Sequence, residues 1–217
     1  MDIIFDLDGV IIDSSASVVN RIKWVAEVFS FDIIDKDLTK YIGYSAEYAF
    51  TDLCKDKKNI NITKATELYL QLFWERPVEE AIPYPFIERV LQELIIKYGS
   101  MLYIVTSRPF NATISILHYY NFYKYFSFIV SAYQKNKSKV TNVLINIKNI
   151  DRDNCFFIGD RVIDMNAAID NKIIPIGALW GFGTKEELEE SGAKFLVEKP
   201  IDLINTIFTL NFKEEEE

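Results

Sequence analysis

The chain has 217 residues, 49% of them hydrophobic and 26% charged, with a formal net charge of −8. That length suits one large domain or one and a half and is enough to bury a real hydrophobic core. The negative balance offers no electrostatic footprint for nucleic acid or an anionic membrane, and no apolar run approaches the roughly 18 residues that span a bilayer.

The first element is the apolar strand Ile3-Ile4-Phe5, which runs into Asp6-Leu7-Asp8-Gly9. Strand residues i and i+2 share a face, so Asp6 and Asp8 are expected side by side at a strand's C-terminal end, where open parallel sheets bind ligands. Such a pair can hold a divalent cation, share a proton, or divide into nucleophile and acid. It is also what an ordinary Asp-Gly turn looks like. The period then changes. Val18, Val19, Ile22, Val25, Ala26 and Phe29 fall at helical spacing behind an N-cap at Ser14 or Ser15. Helical patterns continue over 36–42, 46–54 and 63–75, broken by the charged loop 55–59, until Pro77, Pro83 and Pro85 punctuate the chain. Residues 14–85 thus read as an all-helical insertion.

From Phe86 onward helices and apolar strands alternate. Helices are expected over 88–98, 111–121, 140–147, 163–169, 185–191 and 201–210. Strands are expected over 101–105, 126–130, 155–158, 173–176 and 195–197. This order predicts an α/β fold, a parallel sheet with helices on both faces. Residues 213–217 read as a frayed charged tail.

Cys54 and Cys155 form neither a disulfide framework nor a metal cluster and are expected as reduced thiols. A strand beginning at Asp2 leaves no room for a signal peptide, so a cytoplasmic location is expected. The single histidine, His118, supports no Ser-His or Cys-His pair.

Four segments end in polar groups: Asp6 and Asp8; Thr106-Ser107-Arg108-Pro109; the lysines Lys135, Lys137 and Lys139; and Gly159-Asp160 with Asp164 one helical turn on. Three or four acids at strand ends suit Mg²⁺, a hard cation that takes oxygen ligands. A metal, a lysine and a hydroxyl around one carboxylate suit an anionic phosphoryl group. One carboxylate can then attack phosphorus to give an aspartyl-phosphate.

In these segments the chain resembles the haloacid dehalogenase superfamily of Asp-nucleophile phosphatases, and within it the phosphoglycolate phosphatase branch. Phe5-Asp6-Leu7-Asp8-Gly9-Val10 is similar to the first motif, Val105-Thr106-Ser107-Arg108-Pro109 to the second, and Gly159-Asp160-Arg161 with Asp164 to the fourth. The segment from Ile176-Gly177-Ala178 to Asp202-Leu203 resembles the branch's C-terminal third. The resemblance implies a Rossmann-like core from residues 1–13 and 86–217, with a helical cap domain from 14–85. It implies Asp6 as nucleophile, Asp8 as acid and then base, and Thr106, Ser107 and Lys137 on the phosphoryl group. Asp6, Asp8, Asp160 and Asp164 would serve Mg²⁺, Asp8 through its carbonyl. Among the three lysines, the branch's usual spacing to Asp160 selects Lys137, with Lys135 and Lys139 as alternatives.

Three departures stand out. Lys137 precedes Ser138 where proline is common, Tyr84-Pro85-Phe86 replaces Tyr-Pro-Gly, and Asn171-Lys172 replaces Asn-Gly.

The implied activity is hydrolysis of a small phosphorylated metabolite by a monomer or homodimer, with no nucleic-acid or membrane partner. A pyrophosphatase or nucleotidase of the same superfamily is an alternative. A dehalogenase is disfavoured by Asp8. A sugar phosphomutase such as beta-phosphoglucomutase is disfavoured by Gly43-Tyr44-Ser45-Ala46-Glu47, which lacks the usual basic residue. A response-regulator receiver is disfavoured by the position of the aspartates on the first strand. A catalytically idle binding module of the same fold is the reading from a different class.

Overall fold

A computed structural model describes residues 1–33, 36–57, 59–76, 78 and 80–213, without the side chains of 211–213. Residues 214–217 of the charged tail lie outside the described residues.

Six parallel strands form the sheet: β1 (Asp2–Phe5), β4 (Met101–Thr106), β5 (Phe128–Ser131), β6 (Cys155–Gly159), β7 (Ile174–Ala178) and β8 (Phe195–Val197), in the order β5-β4-β1-β6-β7-β8. β1 is central, and its side chains alternate between two cores. Ile3 and Phe5 pack with Val90, Leu91 and Leu94 of α4 (Ile87–Tyr98) and with Leu203 and Ile207 of α9 (Leu203–Lys213). Ile4 packs on the other face with Leu144 and Ile145 of α6 (Lys137–Lys148) and with Ala167 and Ala168 of α7 (Val162–Asp170). A strand segment buried on both faces must be apolar, as residues 3–5 of β1, 102–105 of β4 and 155–158 of β6 are.

The remaining helices of this unit are α5 (Phe110–Tyr119) and α8 (Lys185–Glu190). Between β1 and α4 the chain builds a helical layer from α1 (Ser15–Val28), α2 (Ala46–Leu53) and α3 (Ile62–Glu75). This layer has its own core, centred on Ile22, Phe50, Leu53, Ala65 and Phe73. Its entry and exit are tied by a ribbon that periodicity did not suggest, because each strand has two residues: β2 (Ile12–Asp13) pairs antiparallel with β3 (Ile82–Pro83).

Two elements differ from expectation. Over 36–42 there is no α-helix, only a 3₁₀ turn at Thr39–Tyr41. The Asp37 carboxylate accepts from both the Thr39 amide and hydroxyl, a local bond that competes with helix formation. Conversely, α6 starts at Lys137, ahead of the first apolar residue. The Asn136 side chain caps it by accepting from Lys139 N at 2.9 Å, so a polar first turn is helical.

The two turn departures also have a structural meaning. Phe86 and Lys172 stand at φ 66° and 56°, in the left-handed region that glycine adopts without cost. Phe86 is 65% exposed, so its ring recovers little of the strain by burial. Phe86→Gly and Lys172→Gly are each expected to stabilise the chain by about 0.5–1 kcal/mol in urea unfolding. A loss at either site would show that the side chain contributes more than its backbone strain costs.

Candidate active site

The site lies at the C-terminal ends of the central strands. Phe5 pairs with Ile104 on one side and Ile158 on the other, so Asp6, Thr106 and Asp160 emerge together. Asp6 N still donates to Ile158 O at 2.9 Å, but the strand ends there. A tight turn follows, in which the amides of Val10, Ile11 and Ile12 all donate to Leu7 O. The alternation expected to place Asp6 and Asp8 on one strand face therefore stops, and the two carboxylates take different partners.

Asp6 faces the core. Its Oδ2 lies 3.0 Å from Lys137 Nζ, which lies 2.6 Å from Asp164 Oδ1. All three are buried, as is Asp160. Lys135 and Lys139 are exposed, so of the three lysines only Lys137 reaches these acids. Its placement follows from the early start of α6, which makes it the first helical residue.

The Gly159-Asp160-Arg161 turn sets the other side. Asp164, in the first turn of α7, accepts through Oδ2 from the amides of Asp160 at 3.2 Å and Arg161 at 3.1 Å. A carboxylate at a helix N-terminus is favoured there and fixes the turn. Asp160 Oδ2 accepts from Phe182 N at 2.8 Å. Gly9 must be glycine for two reasons: its φ is +88°, and a Cβ there would overlap the Asp160 carboxylate.

Three carboxylates stand against one ammonium in this cluster. Burial raises the Asp6 carboxyl to about 7; Lys137 opposes the rise, while Asp164 and Asp8 add to it. Burial, then Asp164 and Asp6, push Asp160 well above the ordinary carboxylate range. Burial works against the charged form of Lys137, but Asp164 and Asp6 outweigh it and raise its value. Burial also works against the charged form of Asp8, but Arg108 outweighs it and holds the value below the ordinary range.

A hard divalent cation fits this cluster. Oxygens of Asp6, Asp160 and Asp164 lie within 4.8 Å of one another, and the buried Asp160 Oδ1 has no hydrogen-bond partner. An orphaned anionic oxygen in a dry site is what a metal ligand looks like without its metal.

Thr106, buried at the end of β4, accepts from Arg108 N at 3.2 Å. Ser107 and Arg108 line a cavity of about 50 Å³ together with Asp8, Tyr44, Tyr69 and Phe73, so it lies between the strand ends and the helical layer. Tyr41, Phe50, Tyr69 and Phe73 are buried in the layer's core, as their helical spacing implies, whereas Tyr48 and Trp74 are about half exposed. Tyr41, Tyr69 and Phe73 also line the cavity, so packing and lining are not exclusive.

Periodicity and motif reading missed two arginines as site residues. Arg108 grips Asp8. Arg161 donates to Phe182 O at 3.1 Å and to Lys40 O at 3.0 Å, stitching the Asp160 turn to the helical layer. An arginine beside each motif residue was the only signal in the sequence.

A family model described as haloacid dehalogenase-like hydrolase matches residues 3–178. The chain belongs to the haloacid dehalogenase-like hydrolase family. Among curated relatives, a phosphoglycolate phosphatase of Aquifex aeolicus is 28% identical over 207 residues, 93% of this chain and 94% of that protein. A 5'-nucleotidase of Pseudomonas aeruginosa is 25% identical over 203 residues, 86% of each. The crystal structure of a predicted phosphatase from Clostridium acetobutylicum has a TM-score of 0.87 at 29% identity, covering 96% of this chain and 98% of that one. The chain is thus a hydrolase enzyme of this family, and the relatives named as a phosphatase or predicted phosphatase match it over 93% and 96% of its length. No helix among the described residues is long and apolar enough to cross a membrane.

The raised carboxyls set a pH dependence in metal-free protein. Folding raises Asp6 and Asp160, so their contribution to stability is complete below the unfolded value of about 4. It is lost as the pH rises through the folded value, about 7 for Asp6. Asp8 has the opposite sign and loses its contribution only below about pH 4. In chelator, thermal unfolding is expected at a lower temperature near about pH 8 than near about pH 5.5, and Asp160→Asn should narrow the gap. Equal melting temperatures at both values would contradict the buried-charge account.

Proposed function

We propose that the protein is a Mg²⁺-dependent phosphatase that hydrolyses a small phosphate monoester of the phosphoglycolate class through an aspartyl-phosphate on Asp6. The observation that carries this reading is the buried set of Asp6, Lys137, Asp160 and Asp164 on one sheet edge, with Thr106 alongside and Asp8 at the cavity wall.

In this mechanism Asp6 attacks phosphorus, forming an Asp6 oxygen–phosphorus bond as the ester oxygen leaves. Asp8 gives that oxygen its proton and later takes one from the water that cleaves the aspartyl-phosphate. Thr106, Ser107 and Lys137 hold phosphoryl oxygens. Asp6, Asp160 and the carbonyl of Asp8 would hold Mg²⁺, with Asp164 supporting them directly or through water. The bound ion supplies charge neutralisation at the phosphoryl group. The helical layer over 14–85 acts as a cap that excludes water over the reacting atoms.

The cavity lies between the strand ends and the helical layer, so Tyr44, Tyr69 and Phe73 of that layer would face the leaving group.

Purified protein is expected to release phosphate from two- and three-carbon phosphate esters only with Mg²⁺ present. Asp6→Asn should lower kcat by several orders of magnitude while retaining Mg²⁺ binding, read by calorimetry. Turnover that survives Asp6→Asn, or none on any ester of a broad panel, would sink the reading.

A further inference from the structure

We infer that Arg108 is a positioning residue that aims Asp8 at the leaving group, and that Phe73 makes this aim depend on the seating of the helical layer. The inference rests on the phosphatase reading above.

Arg108 Nη2 donates to Asp8 Oδ1 at 2.7 Å and Nε to Asp8 Oδ2 at 3.1 Å. Two bonds from one planar fork fix both the place and the plane of a carboxylate, which a point charge cannot do. The arginine side chain is 1% exposed and that of Asp8 13%. The Arg108 backbone is held as firmly. Its amide donates to Thr106 Oγ1, its carbonyl accepts from Ser131 Oγ at 2.7 Å, and Pro109 follows. This one residue therefore ties Asp8 to the ends of β4 and β5.

The helical layer closes the arrangement. The Phe73 ring of α3 packs against Arg108, with the guanidinium carbon 5.0 Å from the ring centroid. Arg21 of α1 approaches the same ring at 4.0 Å. Asp8, Arg108 and Phe73 all line the cavity between the strand ends and the helical layer, where the phosphatase reading puts the leaving group. An acid that protonates a leaving oxygen must sit within hydrogen-bond reach of it, and a misplacement of about 1 Å costs about 100-fold; the fork also favours the ionised carboxylate, so Arg108 gives Asp8 its aim at some cost in proton affinity. With the layer withdrawn, Arg108 loses the ring behind it, and the grip on Asp8 loses its backing.

The test uses two esters. An alkyl phosphate needs a proton on its leaving oxygen, which Asp8 donates as the phosphorus–oxygen bond breaks and the bond to Asp6 forms. Nitrophenyl phosphate leaves as a stable anion and needs none. The ratio of kcat/KM for the two reports acid catalysis up to the phosphorylation of Asp6. Arg108→Met is expected to lower kcat/KM on the alkyl ester by about 100-fold and on the aryl ester by only a few-fold. Arg108→Lys, which has a point charge but no fork, should fall between. Phe73→Leu should shift the ratio in the same direction by a smaller factor. Adding Arg108→Met to Asp8→Asn should leave the ratio of Asp8→Asn unchanged, and crystals of Arg108→Met should show the Asp8 carboxylate off the cavity wall.

Equal losses on both esters, or a further shift of the ratio in the Asp8→Asn background, would overturn the inference while leaving the phosphatase reading intact. A wild-type protein inactive on both esters would overturn both. If Arg108→Met does not fold, the lysine and Phe73 variants read the same ratio.

Discussion

The interaction on which the site depends is the burial of Lys137 between Asp6 and Asp164. Taking an ammonium and two carboxylates out of water costs several kcal/mol per ion, and only close geometry repays it. The geometry is close because three separate pieces of backbone are aimed at one point: the end of β1, the first turn of α6 and the first turn of α7. Each of those helix starts is set locally, by Asn136 in one case and by Asp164 itself in the other. Asp160 then adds a third carboxylate with an unsatisfied oxygen. The cluster carries an excess of two negative charges if every group ionises, and only protons or a cation can relieve it.

That imbalance separates two aspartates that are chemically identical and two residues apart. Asp6 shares a dry pocket with other acids, and its carboxyl is raised to about 7. Asp8 has turned out of the strand direction to a guanidinium and is held below the ordinary range. These are the directions of the metal-free cluster; a divalent cation beside Asp6, Asp160 and Asp164 would favour the ionised form of Asp6 that attack requires. The tight turn at Leu7 is the physical device, because a strand continued through Asp8 would have left both groups on one face.

Most of the sheet was legible in the sequence because its strands are continuous apolar runs bounded by polar turns, as at Cys155–Gly159. What escaped was set by single hydrogen bonds rather than by periodicity. The Asp37 side chain replaced a helix with a 3₁₀ turn, Asn136 extended a helix back over Lys137, and the ribbon of Ile12–Asp13 with Ile82–Pro83 was too short for any pattern. Of the residues suggested by the motifs, Asp6, Lys137, Asp160 and Asp164 lie together in one buried cluster, and Asp8 and Ser107 line the cavity beside Thr106. Their partners did not announce themselves, since Arg108 and Arg161 look like surface residues until the fold buries them.

The helical layer explains why reaction type is easier to read than substrate. The chemical groups come from strand ends and the helix starts near them, where tight turns and N-terminal caps place them. The cavity wall comes from Tyr44, Tyr69 and Phe73, and two of these also serve the layer's own core. A helical stripe of aromatics satisfies core packing whatever ligand faces it, so periodicity carries no information about the ligand. The contacts that couple the layer to the chemistry are likewise side chain to backbone or side chain to ring: Arg161 to the Lys40 carbonyl, and Arg108 to Phe73. Such contacts leave no spacing rule behind. They exist only with the layer folded over the strand ends, whereas the cluster of Asp6, Lys137, Asp160 and Asp164 is built by the sheet and its own helices, so the layer shapes the cavity wall and the sheet fixes the charges.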